Sequence, residues 1–111
     1  MKEDRLQAEC YQWFHNSYPE LRGLLCYNLN NSKNKIDGNK NKAMGLQAGR
    51  SDLVFYYNAK AYHIEMKTED GKQSDAQKKW QQIIEKAGFK YYIARTLLEF
   101  QRIIEEIIVS L

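Results

Sequence analysis

The chain has 111 residues, room for one domain with one modest core. With 43% hydrophobic and 13% aromatic residues it has the material for that core, which argues against intrinsic disorder. No apolar run approaches the roughly 18–20 residues needed to cross a bilayer, and acids interrupt MKEDRLQAEC where an export signal needs an apolar stretch. Cys10 and Cys26 lack the spacing of a disulfide scaffold or a zinc knuckle and read as buried reduced thiols of an intracellular protein. The net charge of +3 is unevenly spread: from Lys33 to Lys79 there are ten Lys or Arg against six Asp or Glu, whereas from Glu99 onward three acids face one Arg. A basic middle favours a polyanionic partner, with a solvated lysine surface as the plain alternative.

Residues 4–18 read as an amphipathic helix, with Leu6, Cys10, Trp13 and Ser17 in one arc, Phe14 at its edge, and Pro19 to end it. Glu9 falls about 40° from Trp13 at helical spacing and leans inward, where an acid needs a reason. LLCYNLN (24–30) looks like a short strand. The Asn- and Lys-rich stretch after it reads as a loop with a weak helix near Asn39–Met44. Strands are expected over Asp52–Asn58 and Ala61–Lys67, joined by a tight turn at Asn58-Ala59-Lys60. Ser74 starts a helix to about Ala87, with Ala76, Trp80, Ile83, Ile84 and Ala87 as its apolar stripe and Gly88 as its stop. Phe89–Arg95 alternates as a fourth strand, and Thr96 with Glu99 is a capping box for a last helix. The order α-β-(α)-β-β-α-β-α implies an α/β fold, a small mixed sheet flanked by helices.

The segment that carries chemistry is GRSDLVFYYNAKAYHIEMK, from Gly49 to Lys67. On a strand Glu65 and Lys67 share a face, about 6–7 Å apart at their Cα atoms, while Tyr62, Ile64 and Met66 face the core. Counting outward from Ala59 pairs Asp52 with residues close to Lys67, so Asp52, Glu65 and Lys67 converge at one end of the hairpin. Two carboxylates and an ammonium suit a hard divalent cation that keeps part of its water. Such a trio could also be ordinary ion pairing at a strand end. His63 shares that face but reads as packed or surface-paired, and His15 as exposed. Tyr56, Tyr57, Tyr62, Tyr91 and Tyr92 read as sheet packing before base stacking.

NKAMGLQAGRSDL (41–53), HIEMK (63–67) and SDAQKKW (74–80), followed by Ala87-Gly88 and a strand–helix finish, occur in an order and at intervals that resemble the virus-type replication-repair nuclease (VRR-NUC) domain, a branch of the PD-(D/E)XK nuclease superfamily. Where that family usually has proline before the motif's Asp, this chain has Ser51. The resemblance implies a restriction-endonuclease-like α-β-β-β-α-β core within a single domain over 1–111. It implies metal ligation by Asp52, Glu65 and the Met66 backbone carbonyl, with Glu9 as an outer or second-metal ligand, and Lys67 as the catalytic lysine. Gln77 would orient Lys67 or water, although Ser74-Asp75-Ala76-Gln77 is equally a capping box.

The implied activity is a Mg²⁺- or Mn²⁺-dependent DNA endonuclease. Its leading substrate is branched DNA such as a Holliday junction, cut by a homodimer of phage or bacterial origin in the cytoplasm, with no membrane partner. Flap or general structure-dependent cutting, or a binding module that has lost catalysis, are the alternatives. Lys33, Lys35, Lys40, Lys42, Arg50, Lys72, Lys78 and Lys79 would form a phosphate-contacting rim, largely blind to sequence. The apolar IIEEIIVSL at the end suits either a paired interface or core burial.

Overall fold

A computed structural model describes residues 2–29 and 35–110. Among the described residues four α-helices and four strands follow one another as α1 (Glu3–Ser17), β1 (Leu25–Tyr27), α2 (Lys35–Ala43), β2 (Leu53–Tyr57), β3 (Lys60–Met66), α3 (Asp75–Lys86), β4 (Lys90–Ala94) and α4 (Leu97–Val109), with a single 3-10 turn at Pro19–Leu21 between α1 and β1. In space the strands run β1-β2-β3-β4; the first three pair antiparallel and β4 lies parallel to β3. The α/β architecture with a mixed sheet between helices is the one the sequence implies. Among the described residues no helix is long and apolar enough to cross a membrane.

Strand alternation divides the sheet into two unlike faces. Leu25, Leu53, Phe55, Tyr62, Ile64, Met66 and Ala94 point to one side and close a core with Leu6, Cys10 and Phe14 of α1 and Phe100, Ile103, Ile104 and Ile107 of α4. Aromatic edges fill it: Phe14 meets Phe55 at 5.3 Å between ring centres, and Trp13 meets Phe100 at 6.1 Å, both edge to face. The apolar end of the chain is thus spent on the core, and α4 leaves mainly Leu98 and Val109 outside. The opposite face, under α3, carries His63, Glu65 and Tyr91. Only Trp80 of the expected α3 stripe is buried; Ile83 is 54% exposed and Ala76 and Ala87 are open. α3 rests on that face through one aromatic residue, because polar groups occupy the sheet beneath it.

The hairpin is tighter than the sequence implies. Asn58 and Ala59, at φ 53° and 64°, make a two-residue turn that closes between Tyr57 and Lys60. The register therefore shifts by one. Leu53 pairs with Ile64, which sets Asp52 opposite Glu65 rather than beside Lys67. Cys10 is fully buried, where burial and then the charge of Glu9 push its thiol up to about 12. Cys26, expected inside, is exposed on the edge strand β1.

Candidate active site

The approach to Asp52 is fixed by backbone. Gly49 sits at φ +77° against the first turn of α3, where a Cβ would lie 2.3 Å from the Ala76 carbonyl oxygen and 2.7 Å from the Gln77 nitrogen. Only glycine allows so close a passage. Two residues on, Ser51 is wholly buried; its hydroxyl donates to the Leu53 carbonyl at 3.1 Å and meets Nδ1 of His63 at 3.3 Å. With its proton given to Leu53, that hydroxyl accepts from Nδ1–H, which fixes the histidine tautomer. Ser51 thus anchors the loop by hydrogen bonds at the position where proline would shape it by its ring. Asn28 closes the arrangement: its side-chain amide donates to the Ser51 carbonyl at 3.1 Å and its N–H to the Asp52 carbonyl at 2.8 Å.

His63 is held rather than poised. Its ring packs edge-on against Trp80 at 5.1 Å and Phe89 at 5.7 Å. Burial, with the charge of Arg50 behind it, lowers its pKa and keeps the ring neutral.

The two carboxylates have different surroundings. Asp52 Oδ2 accepts the Met66 N–H at 2.7 Å. Burial raises the Asp52 pKa against that hydrogen bond; Glu65 and Glu3 add repulsion, and the Lys67 ammonium works the other way. Glu65 is completely buried. Its Oε1 accepts a short hydrogen bond from the Tyr91 hydroxyl and another from Gln73 Nε2 at 3.2 Å. Gln73 is itself held by Gln81 Oε1 at 2.8 Å. Oε2 of Glu65 is buried with no hydrogen-bond partner among the described residues. Leaving a buried polar atom unpaired costs about 1–3 kcal/mol, and more when it is charged. Lys67, at 7% exposure, follows Met66 on the same strand face as Glu65.

Asp52 and Met66 border a cleft of about 190 Å³ at the end of the sheet, together with Glu3, Gln7 and Asn28. Among the described residues no three His, Cys, Asp or Glu side chains form a complete metal cage. The donors that do converge are two carboxylates, one with an orphaned oxygen, beside a strand end. That set fits a magnesium-like cation, which takes one or two carboxylates and keeps several waters.

Two expected site residues lie elsewhere. Glu9 pairs with Arg5 at 3.9 Å and lines a separate cleft with Thr68, Asp70 and Arg95. The acid that α1 brings toward Asp52 is Glu3, and spacing could have found it. Glu3 precedes the buried Cys10 by seven residues and so shares its stripe, whereas Glu9 is one position, about 100°, off it. Gln77 is committed to the helix cap: its Oε1 accepts the Ser74 N–H at 2.8 Å and its own N–H donates to Ser74 Oγ at 3.1 Å. The glutamine that reaches Glu65 is Gln73, in a loop where no periodicity marks it. Tyr91, which the sequence reads as sheet packing, reaches Glu65 because the parallel register beside His63 puts it on the Glu65 face.

Of the basic residues, Lys40 and Lys42 are exposed on α2, Lys72 in the loop after β3, and Lys78 and Lys79 on α3. Arg50 is half-buried beside His63. Lys33 and the side chain of Lys35 lie outside the described residues.

Comparison with known proteins bears on the fold and the family. A solved structure described as a VRR_NUC domain protein superposes with a TM-score of 0.79 at 21% identity, covering 96% of this chain and 87% of that one. A second, described as a VRR_NUC domain, gives a TM-score of 0.59 at 17% identity over 88% of this chain and 92% of that one. At such identities the likeness shows the fold. No curated protein matches the sequence. The family model for the VRR-NUC domain matches residues 1–96, from the first helix to the threonine that caps the last, and the chain belongs to that family, which is of nuclease type.

Proposed function

We propose that this chain is an endonuclease dependent on Mg²⁺ or Mn²⁺ that hydrolyses DNA phosphodiester bonds with Asp52, Glu65 and Lys67. The observation that carries the reading is the Glu65 carboxylate, held on one oxygen by Tyr91 and Gln73 and left unpaired on the other, opposite an Asp52 that burial and neighbouring acids disfavour as an anion. A cation relieves both conditions at once.

Asp52, Glu65 Oε2 and the Met66 carbonyl would hold the ion. When bound, the ion supplies Lewis acidity, making water more acidic and drawing charge from a phosphoryl oxygen. The rest falls to the protein. The Met66 N–H fixes one Asp52 oxygen, so that the other is presented to the cleft. Tyr91 and Gln73 fix the rotation of Glu65. Lys67 orients the attacking water or neutralises the charge that grows on the phosphate. The water oxygen bonds to phosphorus, its proton passes to solvent, and the leaving sugar oxygen takes a proton in return. The rim formed by Lys40, Lys42, Lys72, Lys78 and Lys79 supplies sequence-independent phosphate contacts.

Branched DNA, a four-way junction above all, is the leading substrate, cut by a homodimer acting on phage or bacterial DNA inside the cell. Ile83 and Phe89, exposed on and beside α3, are apolar positions available for pairing. The test is cleavage of a synthetic four-way junction against matched flap and linear DNAs with Mg²⁺ or Mn²⁺, run beside Glu65→Ala and Lys67→Ala. Paired cuts near the crossover, lost in both variants, are expected. Cutting of flaps or linear DNA alone would remove the junction reading and keep the nuclease. Binding without any cutting would leave a binding module.

A further inference from the structure

The cleft at Asp52 does not end there. Asp4, Gln7 and Tyr27 are shared between it and a larger groove of about 610 Å³ that runs between α1 and the edge strand β1. Its volume falls in the range of small-molecule sites, about 300–1,000 Å³. Its floor is apolar, made by Leu25 and Leu53, and its walls are the phenol rings of Tyr11 and Tyr27 and the amides of Gln7 and Gln12.

Tyr27 is the informative residue. It follows Leu25 by two positions and so lies on the same face of β1, yet Leu25 is buried at 3% and Tyr27 is 57% exposed. The ring has run off the edge of the core into the groove. Tyr11 lies opposite on α1, with one face stacked on His15 at 6.0 Å and an interplanar angle of 28°. Of the tyrosines singled out from strand spacing, Tyr62 and Tyr91 are buried and Tyr57 and Tyr92 pack on the core, while the exposed Tyr56 lies in a different groove with Lys60 and Phe89.

Charge decides what the groove accepts. No Lys or Arg among the described residues lines it, and its one charge is the Asp4 carboxylate. A phosphate would be repelled there. A neutral flat ring is favoured: it stacks on a phenol, and its exocyclic amino and ring carbonyl groups match a carboxylate and two amides. We propose that this groove is a base-stacking subsite that takes an unpaired nucleobase next to the scissile phosphate, with Tyr27 as the stacking platform. It rests on the nuclease reading of the adjoining cleft and deepens it. A paired base cannot leave its helix to enter without the cost of unstacking, whereas a base at a flap or branch enters freely. Among the branched substrates considered above, the subsite therefore favours a flap, which offers an unpaired base at the point of cutting, over a fully paired four-way junction.

Fluorescence anisotropy of the full chain, with Ca²⁺ in place of Mg²⁺, tests this on a linear duplex and on the same duplex bearing a single-stranded flap. A second flap carries 2-aminopurine at the nucleotide next to the branch. Tyr27→Ala is expected to weaken flap binding about 5- to 150-fold and duplex binding less than about twofold. The 2-aminopurine emission quenched by the wild type should return in Tyr27→Ala, and Tyr27→Phe should behave as the wild type. Equal losses on both DNAs, or no loss on either, would overturn the subsite. Failure of the two readings is separable. A protein that binds the flap in a Tyr27-dependent way but cuts nothing with Mg²⁺ loses the nuclease and keeps the groove. One that cuts without any dependence on Tyr27 loses the groove and keeps the nuclease, and one that binds no DNA loses both.

Discussion

Strand β3 has two faces that meet opposite fates. Tyr62, Ile64 and Met66 enter a core closed on every side by Phe14, Phe55, Phe100 and Ile104, where each side chain is stabilised by what it touches. His63, Glu65 and Lys67, interleaved with them, are equally hidden from solvent, yet that face buries a histidine, a carboxylate and an ammonium and leaves one Glu65 oxygen without a partner. These six consecutive residues thus serve as structural wall on one side and as a costly polar surface on the other. Burial by itself does not distinguish a core from a site. What distinguishes them is whether the buried groups are satisfied.

Neighbouring substitutions separate the two faces most sharply. Ile64→Ala should cost about 2–5 kcal/mol of folding stability while the protein that remains folded keeps most of its cleavage rate. Glu65→Gln should lower cleavage on the order of 10²–10³-fold with the melting temperature held or raised, because an uncompensated buried charge is removed. Thermal denaturation and initial cleavage rates on the pair would break the comparison if both variants failed in the same way. One step out, Tyr91→Phe removes a donor to Glu65 Oε1 and should weaken cation affinity about 10- to 100-fold, read as the Mn²⁺ concentration for half-maximal cleavage.

Smaller effects sharpen the boundary of the site. Gly49→Ala forces a strained φ and a contact with the Ala76 carbonyl, and should destabilise by about 1–3 kcal/mol or more in chemical denaturation. Gln77→Ala should cost about 1 kcal/mol, like the loss of any helix cap, and leave cleavage within about twofold. A cleavage loss well beyond that would return Gln77 to the chemistry and remove the present account of its side chain.

Much of this was legible before any coordinates. Alternation in HIEMK separated Ile64 and Met66 from Glu65 and Lys67, and the tight turn brought Asp52 to their end of the hairpin. The turn length was misjudged by one because Asn58 and Ala59 both adopt the left-handed region, which for alanine has no sequence signature. From the sequence Glu9 reads as the inward acid because its angle is measured from Trp13, which is only half-buried, and Glu3 is not weighed there. Measured from Leu6, Cys10 and Phe14, which are buried, Glu3 is the inward acid. Gln73 was invisible, since a loop residue's reach depends on a path that no period encodes. The stripe on α3 misled for a different reason: hydrophobic spacing predicts a buried face only when the surface beneath it is apolar, and here it carries Glu65 and His63.

In the function proposed above, the unpaired Glu65 oxygen and Asp52 hold a cation between them. Thermal denaturation of the wild type and Glu65→Gln across a Mn²⁺ titration tests it without DNA or turnover. The melting temperature should climb with Mn²⁺ in the wild type and stay flat in Glu65→Gln. The same climb in both proteins would contradict it.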